Sequence, residues 1–259
     1  MEKIKQAPRT NPILLQKWEK LSFMHWRVDK EIINKYIPKD LSLDLYDSAA
    51  YIGVIPFMMK NVRPRWGFSV PFISNFPEFN IRTYVKKGNV RGVFFITLDA
   101  QSIITRIYAS NFFHLPYRYS RGFVVEKNGL FSWNSNRLYK GYELKGSCEG
   151  YGKFRYAEKK SLEEFFFERY YLFTSSGDQI KMGRIHHDKW MIKKATPRII
   201  KNGDNYSEES GSGNIFSNPR LSSKISAAIN SRFQLDQTDL TQELETDESI
   251  ASSNLLIKE

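Results

Sequence analysis

Hydrophobic periodicity constrains this chain more than any other feature. Segment after segment alternates apolar and polar residues with a period of two, and turn signals separate the segments. "KLSFMHWRV" (20–28) alternates, and "LSLDLYDSAAYIGVIPFMM" (41–59) reads as a hairpin about Tyr46–Ser48. "RTYVKKGNVRGVFFITLDA" (82–100) is a second hairpin, turning at Lys87–Asn89. Asn128-Gly129 is a two-residue hairpin signal between strands near 117–126 and 130–139, and a further strand covers 142–157. "YLFTSSGDQIKMGRIHH" reads as a last hairpin. Helices are few and short. Asp29 is an N-cap for "KEIINKYIP", which Pro38 stops, and Ser161 with Glu164 forms a capping box. Between 101 and 113, Ile103, Ile104, Ile107 and Tyr108 fall at helical spacing before Pro116. Many antiparallel strands with a few short helices predict an α+β domain, mainly antiparallel β, on a curved sheet or barrel.

Size and charge set the remaining bounds. At 259 residues one domain with a large core is the default. Residues 13–197 hold 35 of the 38 aromatic residues, so the core lies there. Residues 1–12 read as a loose N-terminus. The Ser-, Asp- and Glu-rich text of 201–259 reads as a disordered or atypical tail, too poor in apolar area to offset its ordering entropy. The first 197 residues carry 33 basic and 18 acidic groups, a net charge of +15, but the basic residues are dispersed in pairs. A generally basic surface accounts for this better than a nucleic-acid groove. No apolar run is long enough to span a membrane, and the N-terminus lacks the apolar stretch of a signal peptide. With the single cysteine, Cys148, this predicts a cytoplasmic protein without disulfide or Cys-based zinc cluster.

"PEFNIRTYV" (77–85) poses the functional question. Successive strand side chains point to opposite faces, so Glu78, Asn80, Arg82 and Tyr84 share one face and Phe79, Ile81, Thr83 and Val85 the other. An acid, an amide, a guanidinium and a phenol thus stand in a row about 6.6 Å apart, at ~3.3 Å rise per residue. Taken alone, the row is more economically a solvated face than a pocket wall.

Several stretches in fixed order change that balance: "FMHWRVD", "AAYIGVIPFMM", "FPEFNIRTYV", "VFFITLDA", "FFHLPY", "SLEEFFFERYYLF" and "GRIHHDKW". Together they resemble the YqjF-like family, a bacterial domain of unknown function, over about residues 12–197. The resemblance implies an acetoacetate-decarboxylase-like fold, a closed or partly open β-barrel, for residues 13–200. In such a barrel the row of Glu78, Asn80 and Arg82 becomes the lining of a lumen. The enzyme that gives the fold its name forms a Schiff base on a lysine in a Pro-Lys-Lys run. Here Pro116 is followed by Tyr117, Arg118 and Tyr119, and arginine cannot form an imine. The resemblance therefore implies the fold without the lysine chemistry.

The expected function is capture of a small aromatic or keto/acidic molecule by Glu78, Asn80, Arg82, His114, Tyr117 and Arg169, without a cofactor. A lyase- or hydrolase-type enzyme using Glu78 or Asp99 with His114 is the alternative, Glu78, Arg82 and Asp99 being able to form an acid–base set. Each has a plain structural reading too, as an ion pair or a tie between helix and sheet. A basic polyanion or nucleic-acid binder is the third reading. No membrane partner is expected, and a homo-oligomer stays open. Metal is not expected: His25, His114, His186 and His187 are the only imidazoles, and adjacent His186 and His187 would point apart on a strand. No nucleotide-binding glycine fingerprint or Gly-x-Ser-x-Gly elbow is present.

Overall fold

The computed structural model describes residues 12–70, 74–102, 115–137, 143–176, 179–199 and 253–258. Strands dominate them. They are β1 (Leu14–Glu19), β2 (Ser22–Val28), β3 (Ser42–Leu43), β4 (Ala50–Pro64), β5 (Phe76–Lys87), β6 (Val90–Ala100) and β7 (Tyr117–Lys127). After these come β8 (Leu130–Arg137), β9 (Glu143–Tyr156), β10 (Tyr171–Ser176), β11 (Gln179–Arg184), β12 (Met191–Ile199) and β13 (Ser253–Lys258). Two short helices are described, α1 (Lys30–Asn34) and α2 (Leu162–Phe167). The hydrogen-bonded path β6-β7-β8-β9-β12-β13-β2-β4-β5 returns to β6 through the β5–β6 pairing, so the sheet curls into a barrel-like ring. The β6–β7 and β6–β10 pairings are parallel and the other strand pairings antiparallel.

Local signals act where the alternation predicts. Lys87 stands opposite Val90 across Gly88 and Asn89, and Lys127 opposite Leu130. In the second turn both Asn128 and Gly129 have positive φ (53° and 80°), which a mirror-image two-residue hairpin turn requires. Asp29 Oδ1 caps α1 by accepting from Glu31 and Ile32 N–H, and the Ser161 hydroxyl accepts from Glu164 N–H at the start of α2.

Three expectations need correction. The turn at Tyr46–Ala49 forms, with both backbone bonds between those residues, but it does not fold β3 onto β4; β3 pairs with β5 instead. The hairpin read as the last one, β10–β11, forms and stands at one edge of the sheet, but β12 follows it in sequence and pairs with β9. The tail was read as disordered or atypical; within it, the described Ser253–Lys258 forms a strand that joins β12 to β2. The helix expected over 101–113 and the boundary at residue 200 lie outside the described residues.

Both faces of the sheet are buried. On one, Met24, Trp26, Ile52, Val54, Phe79, Ile81, Val124 and Trp133 pack together. Ser22 Oγ and Cys148 Sγ meet there at 3.3 Å although two strands separate theirs in the ring, a span of about 14 Å at ~4.8 Å per strand. That approach shows how strongly the sheet curls toward this face. On the other, Phe23, Tyr51, Ile55, Phe57 and Tyr84 pack beneath Phe165, Phe166 and Phe167 of α2.

Candidate functional site

The row on β5 lies under α2, not in open water. Glu78 is 3 % exposed, and Asn80 and Tyr84 are buried with it. The parallel pairing of β7 with β6 sets Tyr117 beside Leu98 on this same face. There Tyr117 Oη donates to Glu78 Oε2 at 2.8 Å. Burial pushes the Glu78 carboxyl up to about 7, opposed by the Tyr117 hydrogen bond and by the neighbouring Asn80 amide. Burial, with the adjacent Glu78, pushes the Tyr117 phenol well above its ordinary range. Near neutral pH Glu78 is therefore poised between acid and carboxylate, and Tyr117 keeps its proton.

A second set stands along the same face. His25 on β2, Gly53 on β4 and Arg82 on β5 form one rung across three strands. A Cβ at Gly53 would come within 3.0 Å of His25 Cδ2 and Nε2, so the bare glycine is what lets the imidazole lie across β4. His25 Nε2 reaches Tyr84 Oη at 2.6 Å, and its ring stacks on Phe166 with centroids 3.7 Å apart. Arg82 Nη2 donates to the same Tyr84 oxygen at 3.3 Å and to the Phe166 carbonyl at 3.2 Å. Arginine only donates, so Tyr84 accepts from Arg82, and a second hydrogen bond joins the same oxygen to Nε2 of a neutral His25. Burial, reinforced by the Arg82 charge, holds His25 well below the usual imidazole range and favours this neutral form.

The two sets leave partners unmade. His25 Nδ1, Asn80 Oδ1 and Arg82 Nε are buried without a hydrogen-bond partner. Orphaned buried polar atoms are rare and costly. A guanidinium donor, an amide acceptor and an imidazole nitrogen on neighbouring rungs suit a small molecule bearing its own acceptor oxygen.

Other candidate residues are placed elsewhere. Asp99 is not part of an acid–base set with Glu78 and Arg82. The turn alone, with Lys87 opposite Val90, would carry Asp99 to a position opposite Glu78. A bulge intervenes: Arg82 faces Phe95, Ile81 faces Thr97, and Ile96 is the extra residue. The one-residue shift sets Asp99 opposite Phe79 and turns it to the other face. There both its oxygens accept from Arg137 Nε at 2.9 Å, with Thr97 and Ser135 alongside. Burial pushes the Asp99 carboxyl up, and Arg137 opposes that rise.

Arg169 is buried, but its Nη1 pairs with Asp44 Oδ2 and its Nε donates to the Phe165 carbonyl, tying the end of α2 to the sheet. His114 lies outside the described residues. His186 is exposed, while His187 stacks on Tyr170 and Trp190. No group of three or more His, Cys, Asp or Glu side chains suited to a metal ion occurs among the described residues. Sequence reasoning brought Glu78, Asn80, Arg82 and Tyr117 together but missed the His25–Tyr84 contact. The glycine at 53, opposite both His25 and Arg82, was the available signal.

The profile of the DUF2071 family, described as an uncharacterized conserved protein, matches residues 15–221. The uncharacterized protein YqjF of Bacillus subtilis (strain 168) is 35 % identical over 199 residues, which cover 73 % of this chain and 79 % of that protein. Among solved structures, acetoacetate decarboxylase from Legionella pneumophila aligns with a TM-score of 0.56 at 10 % identity, covering 97 % of this chain and 87 % of that one. An acetoacetate decarboxylase-like enzyme from Sphingomonas wittichii RW1 aligns with a TM-score of 0.56 at 9 % identity, covering 96 % and 90 %. The enduracididine biosynthesis enzyme MppR, solved with pyruvate, aligns at 0.53 and 9 % identity, covering 98 % and 89 %. The fold is acetoacetate-decarboxylase-like.

Proposed function

The chain belongs to the DUF2071 family, and from that premise we propose that it binds a small organic molecule with a carbonyl or acidic group on the buried polar face of β5. One observation carries this reading. A wholly buried carboxyl, Glu78, is held near half-ionisation beside Tyr117, with unpartnered polar atoms of Asn80, Arg82 and His25 on the same face. Arg82 anchors the acceptor oxygen, since a guanidinium offers donors in a fixed fork. The aromatic wall of Phe23, Tyr84 and Phe166 contacts the apolar part. The solved MppR complex contains pyruvate, so small keto acids head the list of ligands to try.

An acid–base enzyme of lyase or hydrolase type is the second reading, favoured by the position of Glu78 near neutrality. Its pair is Glu78 with Tyr117, and Asp99 has no part in it. A buried free thiol at Cys148 fits a cytoplasmic location. Calorimetric titration with pyruvate, acetoacetate and benzoate tests the binding reading. At least one should bind the wild-type chain, and Arg82→Met should weaken it at least about tenfold, a loss of 1.4 kcal/mol. Equal binding by Arg82→Met, or no binding by any of the three, counts against the proposed site.

A further inference from the structure

The turn that follows β4 carries two aromatic side chains in open solvent. Trp66 is 86 % exposed and Phe68 92 %, and Val70 and Ile13 are exposed as well. The backbone that presents them is held in place. Gly67 N–H donates to the Pro64 carbonyl and Arg65 N–H to the Ile13 carbonyl, each at 3.0 Å. Val70 N–H donates to the Ser74 hydroxyl at 2.8 Å, and Ser74 N–H returns a bond to the Val70 carbonyl at 2.9 Å. So presented, the two rings keep their apolar area in water.

The same turn concentrates positive charge. Residues 60–70 contain Lys60, Arg63 and Arg65 and no acidic residue. Arg63 Nη1 donates to the Gly67 carbonyl at 3.4 Å, and Arg65 Cζ sits 4.7 Å from the Trp66 ring centroid. Neither arginine has a carboxylate partner among the described residues. The tip is thus apolar and aromatic, and its collar is basic.

We propose that this tip is a peripheral docking site for a membrane surface rich in anionic lipid. Trp66, Phe68 and Val70 enter the interfacial layer, and Lys60, Arg63 and Arg65 face the lipid phosphates. Tryptophan favours that layer because its ring is apolar and its N–H is wet. Basic residues within a Debye length of an anionic leaflet add electrostatic attraction. No membrane partner was expected from the sequence, and no helix among the described residues is long and apolar enough to cross a bilayer; the contact proposed is interfacial. A tip-to-tip contact with a second copy of the chain fits less well, because the tip has no acidic residue to meet Lys60, Arg63 and Arg65. Single-stranded RNA fits less well too. Arg65 already covers one face of Trp66, and Val70 and Ile13 offer nothing to base stacking. This inference stands apart from the β5 site and does not depend on it.

Vesicle flotation with the full chain tests it. Vesicles of phosphatidylcholine containing about one-third phosphatidylglycerol should retain the protein at least about fivefold better than phosphatidylcholine alone, the gain expected from one basic residue at the surface. Raising the salt should remove that gain. The double variant Trp66→Ser, Phe68→Ser alters only exposed side chains, and an unchanged melting curve verifies its fold. It should lose the retention while wild type keeps it. No retention on either vesicle, or retention unaffected by the double variant, overturns the proposal. So does a wild-type dimer that the double variant dissolves, or preferential binding of polyuridylate lost in the double variant; these would assign the tip to a second copy or to RNA.

Discussion

Tyr117 Oη lies 2.8 Å from Glu78 Oε2, although β6 separates their strands in the sheet. The contact exists because β7 enters beside β6 in parallel, which sets the Tyr117 side chain on the face that Glu78 occupies. Replacing Tyr117 by phenylalanine removes its hydrogen bond to the Glu78 carboxylate and little volume. The Glu78 midpoint should rise above about 7, because a hydrogen bond to the charged form has been lost. Above neutral pH the variant should be less stable by about 1–3 kcal/mol, the cost of leaving a buried acceptor unsatisfied. Chemical denaturation at two pH values checks both.

Glu78 also gives the fold a pH dependence of fixed sign. Its folded value, about 7, lies above the ordinary 4.5, so the folded chain holds more protons than the unfolded chain between those limits. Stability from this group is fully present below pH 4.5 and declines as pH rises through 7, by about 3 kcal/mol at 1.36 kcal/mol per unit. His25 acts in the opposite sense. Its folded value is depressed below 6.5, so stability falls as pH drops beneath that point and the unfolded imidazole gains a proton. Denaturant melts across pH 4 to 8 should show Glu78→Gln without the decline toward neutrality and His25→Gln without the loss on the acid side.

Gly53 is the third point of test. An alanine there meets the His25 ring at 3.0 Å, and the imidazole cannot move without losing Tyr84 or Phe166. Gly53→Ala should therefore destabilise by about 1–3 kcal/mol, the usual cost of overpacking. In the double variant with His25→Ala the combined loss should be smaller than the two single losses together, since the second change removes the clash. Thermal melts of the three variants give the answer.

Asp99 separates a structural ion pair from the site. Asp99→Asn leaves the buried Arg137 guanidinium without its counter-charge, a loss of about 3–5 kcal/mol. Ligand affinity of the folded variant should stay at the wild-type level, because the pair lies on the opposite face of β6 from Glu78. A large affinity change with little loss of stability would return Asp99 to the site.

The local elements were legible because each has a short-range cause. A turn dipeptide at Asn128-Gly129, an N-cap at Asp29, a capping box at Ser161 and a period of two along β5 all act within a few residues. The row of Glu78, Asn80 and Arg82 followed from that period alone. What escaped was set by long-range register. The bulge at Ile96 inverts the outer half of a hairpin whose turn gives no sign of it, and so Asp99 was grouped with the wrong face. β3 is too short to announce its partner, and β12 and β13 join the sheet through residues far away in sequence. An ion pair between Glu78 and Arg82 was also a natural reading of neighbours on one face. The two instead take separate partners, Tyr117 for one and Tyr84 with the Phe166 carbonyl for the other.

The central claim is that Glu78 is a buried, near-neutral carboxyl facing a ligand. Carbon-13 NMR of the glutamate side-chain carboxyls, with Glu78→Gln to assign the signal, measures this directly. The Glu78 midpoint is expected near 7, and it should move when pyruvate, acetoacetate or benzoate is added. A midpoint near the ordinary 4.5, unmoved by all three, would contradict it.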